Sequence, residues 1–166
     1  MRRQSIIALF ICLCSSCSSG TVILPLEFDR VFTKDGSKPL ALEDGKNRYL
    51  WFVTIDGLRD DLYHTPRGKI DEIMSANPDW QFICYCRARY EDSTAIESTL
   101  KRFECSIPVV IDEDSSFLKL NNIKESYSDI GFICDAKGRC LGVSTIGTRQ
   151  SFFDDEFAAV KRRLRK

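Results

Sequence analysis

Three short runs constrain this chain most: Tyr49 to Ile55 (YLWFVTI), Trp80 to Cys86 (WQFICYC) and Ile107 to Asp112 (IPVVID). Each is nearly unbroken in apolar, aromatic or β-branched residues and is of strand rather than helix length, the composition of a strand covered on both faces. The segments between them repeat at helical spacing. Thr65-Pro66 supplies an N-cap followed by proline at the first helical position, Ile70, Ile73 and Met74 follow, and Asn77-Pro78 stops the run. Asp92 or Ser93 caps a second helix, in which Ile96, Leu100 and Phe103 fall at i, i+4 and i+7. Strands alternating with helices in this way predict a parallel sheet with right-handed crossovers.

The C-terminal third changes pattern. Ser115 to Asn121 reads as a short helix and Asp129 to Cys134 as a fourth strand. Asp135-Ala136-Lys137-Gly138-Arg139 makes a tight turn with glycine where positive φ is wanted, so Cys140 to Ile146 returns antiparallel. Ser151 caps a last helix. Asp154, Asp155 and Glu156 sit in its first turn, Phe153, Phe157, Val160 and Leu164 form its apolar stripe, and five cations between Lys161 and Lys166 complement its C-terminal dipole. Ahead of all this, residues 22 to 48 read as an N-terminal hairpin or loose strands, with Asp35-Gly36 at the turn. The expected fold class is α/β, a three-layer α/β/α sandwich with a mixed central sheet.

With 166 residues, the chain is long enough for one buried core and short for two. Its 24 Lys and Arg balance 24 Asp and Glu, which argues against an electrostatic nucleic-acid binder.

Residues 1 to 16 read as a signal peptide: Arg2 and Arg3 form a positive n-region, and Ile6 to Leu13 are apolar but too few to span a bilayer as a permanent helix. Ser15 and Ser16 directly before Cys17 resemble the lipobox of bacterial lipoproteins, in which the cysteine after the cut carries the lipid. Cys14 stands at the position where leucine is usual. The alternative is a plain secretory signal cut near Gly20. On the lipoprotein reading, 17 to 21 are the lipidated cysteine and a spacer, and 22 to 166 are the domain. The membrane is then a partner through the N-terminal lipid, and Ser18 after the cysteine resembles outer-membrane sorting signals facing the periplasm. Five of the eight cysteines, Cys84, Cys86, Cys105, Cys134 and Cys140, remain in the domain. An odd count in an oxidising compartment leaves at least one unpaired thiol.

The order of elements from residue 49 to 166 resembles the thioredoxin-like fold. More narrowly, it is similar to the membrane-anchored thiol-disulfide oxidoreductases and peroxiredoxin relatives of bacterial envelopes. The resemblance is carried by Pro108 to Asp114 (PVVIDED) and by Phe132, Asp135, Gly138 and Gly142 in the late hairpin. It implies a Trp-Cys-x-x-Cys entering the first helix, where a helix N-terminus stabilises the thiolate. Counting back from Pro66 puts those two cysteines near Leu58 and Asp61, and the segment from Asp56 to His64 contains none. The cis-proline that the family places before the fourth strand falls near Asp129, and it too is missing.

Cys84 and Cys86 stand two apart on one strand face and are expected to be buried apolar residues. Cys134 and Cys140 face each other if the turn closes at Asp135 and Arg139, which makes a cross-strand disulfide feasible beside buried or unpaired thiols. Cys105 at a helix exit is a weaker thiol candidate. The one histidine, His64, leaves no set of histidines for a metal. With Asp56, Asp60 and Asp61 it forms an acidic loop whose spacing matches no calcium loop, and these four with Asp129 make a possible binding edge. The expectation is a cofactor-free binding or accessory module of the envelope, with an envelope protein as possible partner. The alternative is a thiol-disulfide oxidoreductase or peroxide-handling enzyme with relocated cysteines.

Overall fold

The computed structural model describes residues 21–24, 30–124, 129–144 and 150–164. In chain order these form β1 (Arg30–Thr33), β2 (Gly36–Pro39), β3 (Asn47–Thr54), α1 (Ile55–His64), α2 (Lys69–Ser75), β4 (Trp80–Arg87), α3 (Ser93–Arg102), β5 (Val109–Ile111), α4 (Ser116–Leu120), β6 (Asp129–Cys134), β7 (Cys140–Val143) and α5 (Gln150–Leu164). One sheet runs β2-β1-β5-β4-β3-β6-β7. β3, β4 and β5 are mutually parallel, whereas β6 lies antiparallel to β3, β7 to β6, and β1 to β5. The mixed sheet sandwiched by helices is the architecture expected from the alternation of buried strands and amphipathic segments.

Both crossovers from β3 to β4 and from β4 to β5 step in one direction along the sheet, so right-handedness puts their helices on one face. Leu58 and Leu62 of α1, Ile70 and Ile73 of α2, and Ile96 and Leu100 of α3 pack there with Phe157 and Val160 of α5. The return from β5 to β6 crosses the other face through α4. Its Phe117 ring lies 4.7 Å from Tyr85 and 6.2 Å from Phe52. A single short helix suffices because Asp112 caps it: its carboxylate accepts from the backbone N–H of Ser116 (2.7 Å) and Phe117 (2.9 Å). The N-terminal segment closes the same face. Ile23 N–H donates to Asn121 Oδ1 at 2.7 Å, and Asn121 Nδ2 donates to the Ile23 carbonyl at 2.8 Å.

Two boundaries differ from the sequence expectation. The stretch expected as an acidic loop before a helix at Thr65 is itself helix α1, and Ile55 opens that helix instead of ending β3. Thr54 is its cap, accepting from Gly57 N–H at 3.1 Å, and Leu58 and Leu62 give it a buried stripe. Thr65 ends it with ψ 132°, because the following Pro66 excludes the helical region. The chain then needs Gly68 in the left-handed region, φ 72°, before α2 can start. At the C-terminus, Ser151 lies inside α5, which already includes Gln150.

The β6–β7 turn is clasped by one carboxylate. Asp135 accepts from the N–H of Lys137 and of Arg139, both at 2.9 Å, and from Arg139 Nε at 2.6 Å. Gly138 takes φ +79°, as its position in the turn requires. Burial alone would raise the Asp135 pKa. The hydrogen bonds and the guanidinium charge outweigh it and hold the group below the ordinary value of 3.8.

Two stability measurements check this packing. A Cβ on Gly131 of β6 would stand 2.2 Å from Tyr49 Oη and 2.0 Å from the Ser144 carbonyl oxygen. Gly131→Ala should therefore cost at least about 1–3 kcal/mol in urea unfolding. The lowered pKa of Asp135 makes its contribution complete above the unfolded value of 3.8 and lost as pH falls through the folded one. Asp135→Asn should be less stable than the parent by about 1–3 kcal/mol at neutral pH, with the gap narrowing in acid. A gap independent of pH would contradict the clasp.

Candidate functional site

The C-terminal end of β3 passes directly into α1 at Thr54, and β6 begins beside it, with Asp129 opposite Val53 in register. This is where the resembled oxidoreductases carry their dithiol and proline. The five residues assigned to a binding edge divide here into two groups with different surroundings.

Asp56, Asp60 and His64 recur at intervals of four on α1 and lie in solvent. Asp56 Oδ1 stands 3.7 Å from Arg59 Nη1. His64 Nδ1 lies 2.8 Å from the Asp60 carbonyl oxygen and 3.5 Å from its Oδ1. Such exposed pairs contribute little to stability. Tyr63, 71% exposed, continues it, with its ring packed edge-on to His64 at 5.3 Å.

Asp61 points the other way. It is 5% exposed and lies on the buried side of α1 with Leu58 and Leu62. Asp129 accepts a 2.7 Å hydrogen bond from the indole N–H of Trp51 in β3. Cys84 pairs with Trp51 in register across β3 and β4. Burial pushes its thiol well up, and the neighbouring charges of Cys86, Cys105, Asp129 and Asp61 add to the effect. Trp51, Asp61, Cys84 and Asp129 thus gather beneath α1. The Trp51–Asp129 bond was not read from the sequence, where Trp51 is one apolar residue of a strand. The signal available was that a buried indole N–H needs an acceptor.

The thiols near this place are unsuited to attack. Burial pushes Cys86 up to about 12, with Asp92 adding to that. Cys105, expected as an outlying thiol candidate, is buried, and burial raises it to about 12 as well. A nucleophilic cysteine needs its thiolate, which these surroundings disfavour. Cys84 and Cys86 are buried, as their strand spacing led one to expect.

At the other end of β6, Cys134 stands directly opposite Cys140 of β7. The Asp135 N–H donates to the Arg139 carbonyl at 3.0 Å, which is the turn closure that this pairing required. Both are thiols in the structure. Cys17 lies outside the described residues. Among the described residues, no helix is long and apolar enough to cross a membrane, and no three His, Cys, Asp or Glu are placed to hold a metal ion.

No protein-family model matches this chain, and neither does any curated protein. Solved structures do. A secreted Mycobacterium tuberculosis disulfide oxidoreductase homologous to E. coli DsbE superposes with a TM-score of 0.55 at 19% identity, covering 78% of this chain and 94% of that one. StoA from Bacillus subtilis gives 0.52 at 16% identity, over 76% and 95%. The bacterioferritin comigratory protein of Xanthomonas campestris, described there with an alkyl peroxide reduction activity, gives 0.57 at 13% identity, over 86% and 97%. At such identities the likeness speaks for the fold. The chain has a thioredoxin-like fold, resembling that of envelope thiol-disulfide oxidoreductases.

Proposed function

We propose that this chain is a lipid-anchored envelope protein whose thioredoxin-like domain works as a binding or accessory module, through the surface where relatives of its fold exchange disulfides. The observation that carries this reading is the occupancy of that surface. Counting back from Pro66 puts the dithiol near Leu58 and Asp61, both buried, no cysteine lies in α1 or at its cap Thr54, and the proline position falls near Asp129, bonded to Trp51. Disulfide exchange needs an accessible thiolate and a resolving partner. In their place, α1 offers partners an exposed stripe of Asp56, Asp60, Tyr63 and His64.

The start of the domain supports an outward orientation of the first turn of that helix. Thr21 bridges to Arg139, and Val22 N–H donates to the Gly138 carbonyl at 2.8 Å. These contacts lie at the hairpin end of β6, about 20 Å along the strand from Asp129. A lipid on Cys17, four positions before Thr21, anchors the hairpin end and leaves the first turn of α1, beside Asp129, at the end of the sheet farther from the outer membrane.

The competing reading is an oxidoreductase or peroxide-handling enzyme with relocated cysteines, and the apposed Cys134 and Cys140 speak for it. An insulin-reduction and peroxide-turnover assay separates the two. The module reading expects no rate above the protein-free blank, and turnover lost in Cys134→Ser would overturn it. Metabolic labelling with a palmitate analogue tests the anchor: the parent should label and Cys17→Ala should not.

A further inference from the structure

A second chemical locus lies away from α1, in the β6–β7 hairpin. Cys134 and Cys140 are direct partners across antiparallel strands, with a bulge between Ile133 and Cys134 next to the pair. Directly opposed residues on an antiparallel pair hold their Cβ atoms about 4.5–5.5 Å apart, close to the span that a disulfide bridges. Cys140 pushes the Cys134 thiol beside it well up, and burial adds to the effect. The pair is also asymmetric. Cys134 is fully buried, whereas Cys140 is half-exposed on β7, an edge strand of the sheet. Cys140 Sγ also lies 3.4 Å from the Gly142 carbonyl oxygen, which it can donate to.

The surrounding structure holds this geometry without help from the sulfur atoms. The Asp135 carboxylate clasps the turn through three hydrogen bonds, and the Thr21–Val22 segment pairs against its far side. Neither restraint involves a sulfur atom.

We infer that Cys134 and Cys140 close once into a structural disulfide by stoichiometric exchange with an external disulfide donor, with Cys140 as the attacking thiol and Cys134 as the resolving one, a single oxidation that goes beyond the module reading without turnover. The Cys140 thiolate attacks one donor sulfur, forming a mixed disulfide and releasing the other donor sulfur as a thiol. Cys134 then attacks Cys140 Sγ, which forms the Cys134–Cys140 bond and releases the second donor thiol. The Cys134 thiol is held well up, first by Cys140 and then by burial; the first of these causes is gone once Cys140 Sγ is in the mixed disulfide and burial remains, so this intramolecular step is the slow one. The donor gains two electrons and the two thiol protons, and the pair loses them. The order follows from exposure, since a donor can reach only Cys140. The product is a staple across the hairpin that also receives the start of the domain.

The test uses the full chain and glutathione disulfide as donor, followed by acid quenching, denaturation in the presence of the alkylating agent and tryptic mapping. Trypsin cleaves after Lys124, Lys137, Arg139 and Arg149, so Cys134 and Cys140 fall on separate peptides, 125–137 and 140–149. Only a bond between them can hold these peptides together. The expected result is a linked 125–137/140–149 pair, lost on reduction, with Cys84, Cys86 and Cys105 unchanged. Cys134→Ser and Cys134→Ala should both stop at one glutathione on peptide 140–149, and Cys140→Ser should leave Cys134 unmodified. The inference is overturned if both thiols of the parent remain alkylatable after denaturation, if either cysteine links elsewhere, or if Cys134 takes up glutathione in Cys140→Ser. The far-ultraviolet circular dichroism of each variant, matched to the parent, keeps misfolding from imitating a negative.

Discussion

Strand β3 has no side that faces water. Tyr49 to Val53 are at most 1% exposed, β4 and β6 occupy both edges, and α1 and α4 cover the two faces. Burying side chains of this size contributes roughly 1.5–3 kcal/mol each, so the register of β3 cannot slip without reversing which face each one fills. Two polar tips on this strand then fix its antiparallel neighbours. The Tyr49 hydroxyl donates to the Ser144 carbonyl at 3.1 Å, passing over Gly131, and the Trp51 indole donates to Asp129 at 2.7 Å. The start of β6 and the end of β7 are therefore set by hydrogen bonds from the central strand.

The strands were legible because burial on both faces leaves a contiguous apolar signature. Tyr49, Trp80 and Val109 all stand in strands where such runs were read, and Asp129 to Cys134 was legible to the residue. Helix α1 was not. Asp56, Asp60 and Asp61 made its sequence look like a polar loop, and only Leu58 and Leu62 carry its buried stripe. Thr65-Pro66 has the form of a helix start, yet a proline also ends the helix before it, and one sequence does not say which. The division of the acidic cluster was illegible for the same reason. Asp60 and Asp61 are adjacent in sequence and lie on opposite sides of a helix that had not been recognised.

The consequence for chemistry is a separation of features that oxidoreductases of this fold keep together. The helix N-terminus and the strand ends are present, but carboxylates and apolar side chains occupy them. The thiols closest to them, Cys84 and Cys86, are raised by burial into the range where the neutral form dominates. The half-exposed thiol of the domain is at the far end of β6, on a hairpin built for other reasons. The domain has a thioredoxin-like fold, and its first helix after the central strand carries acids and a tyrosine on its exposed side and no cysteine.

Native-state alkylation resolved by residue tests this account most directly. At neutral pH, iodoacetamide should modify Cys140 well before any other cysteine of the domain, and Cys84, Cys86 and Cys105 should react only as the protein unfolds. Rapid modification of Cys84 or Cys86 in the folded chain would mean that an accessible thiolate lies beneath α1, and would contradict it.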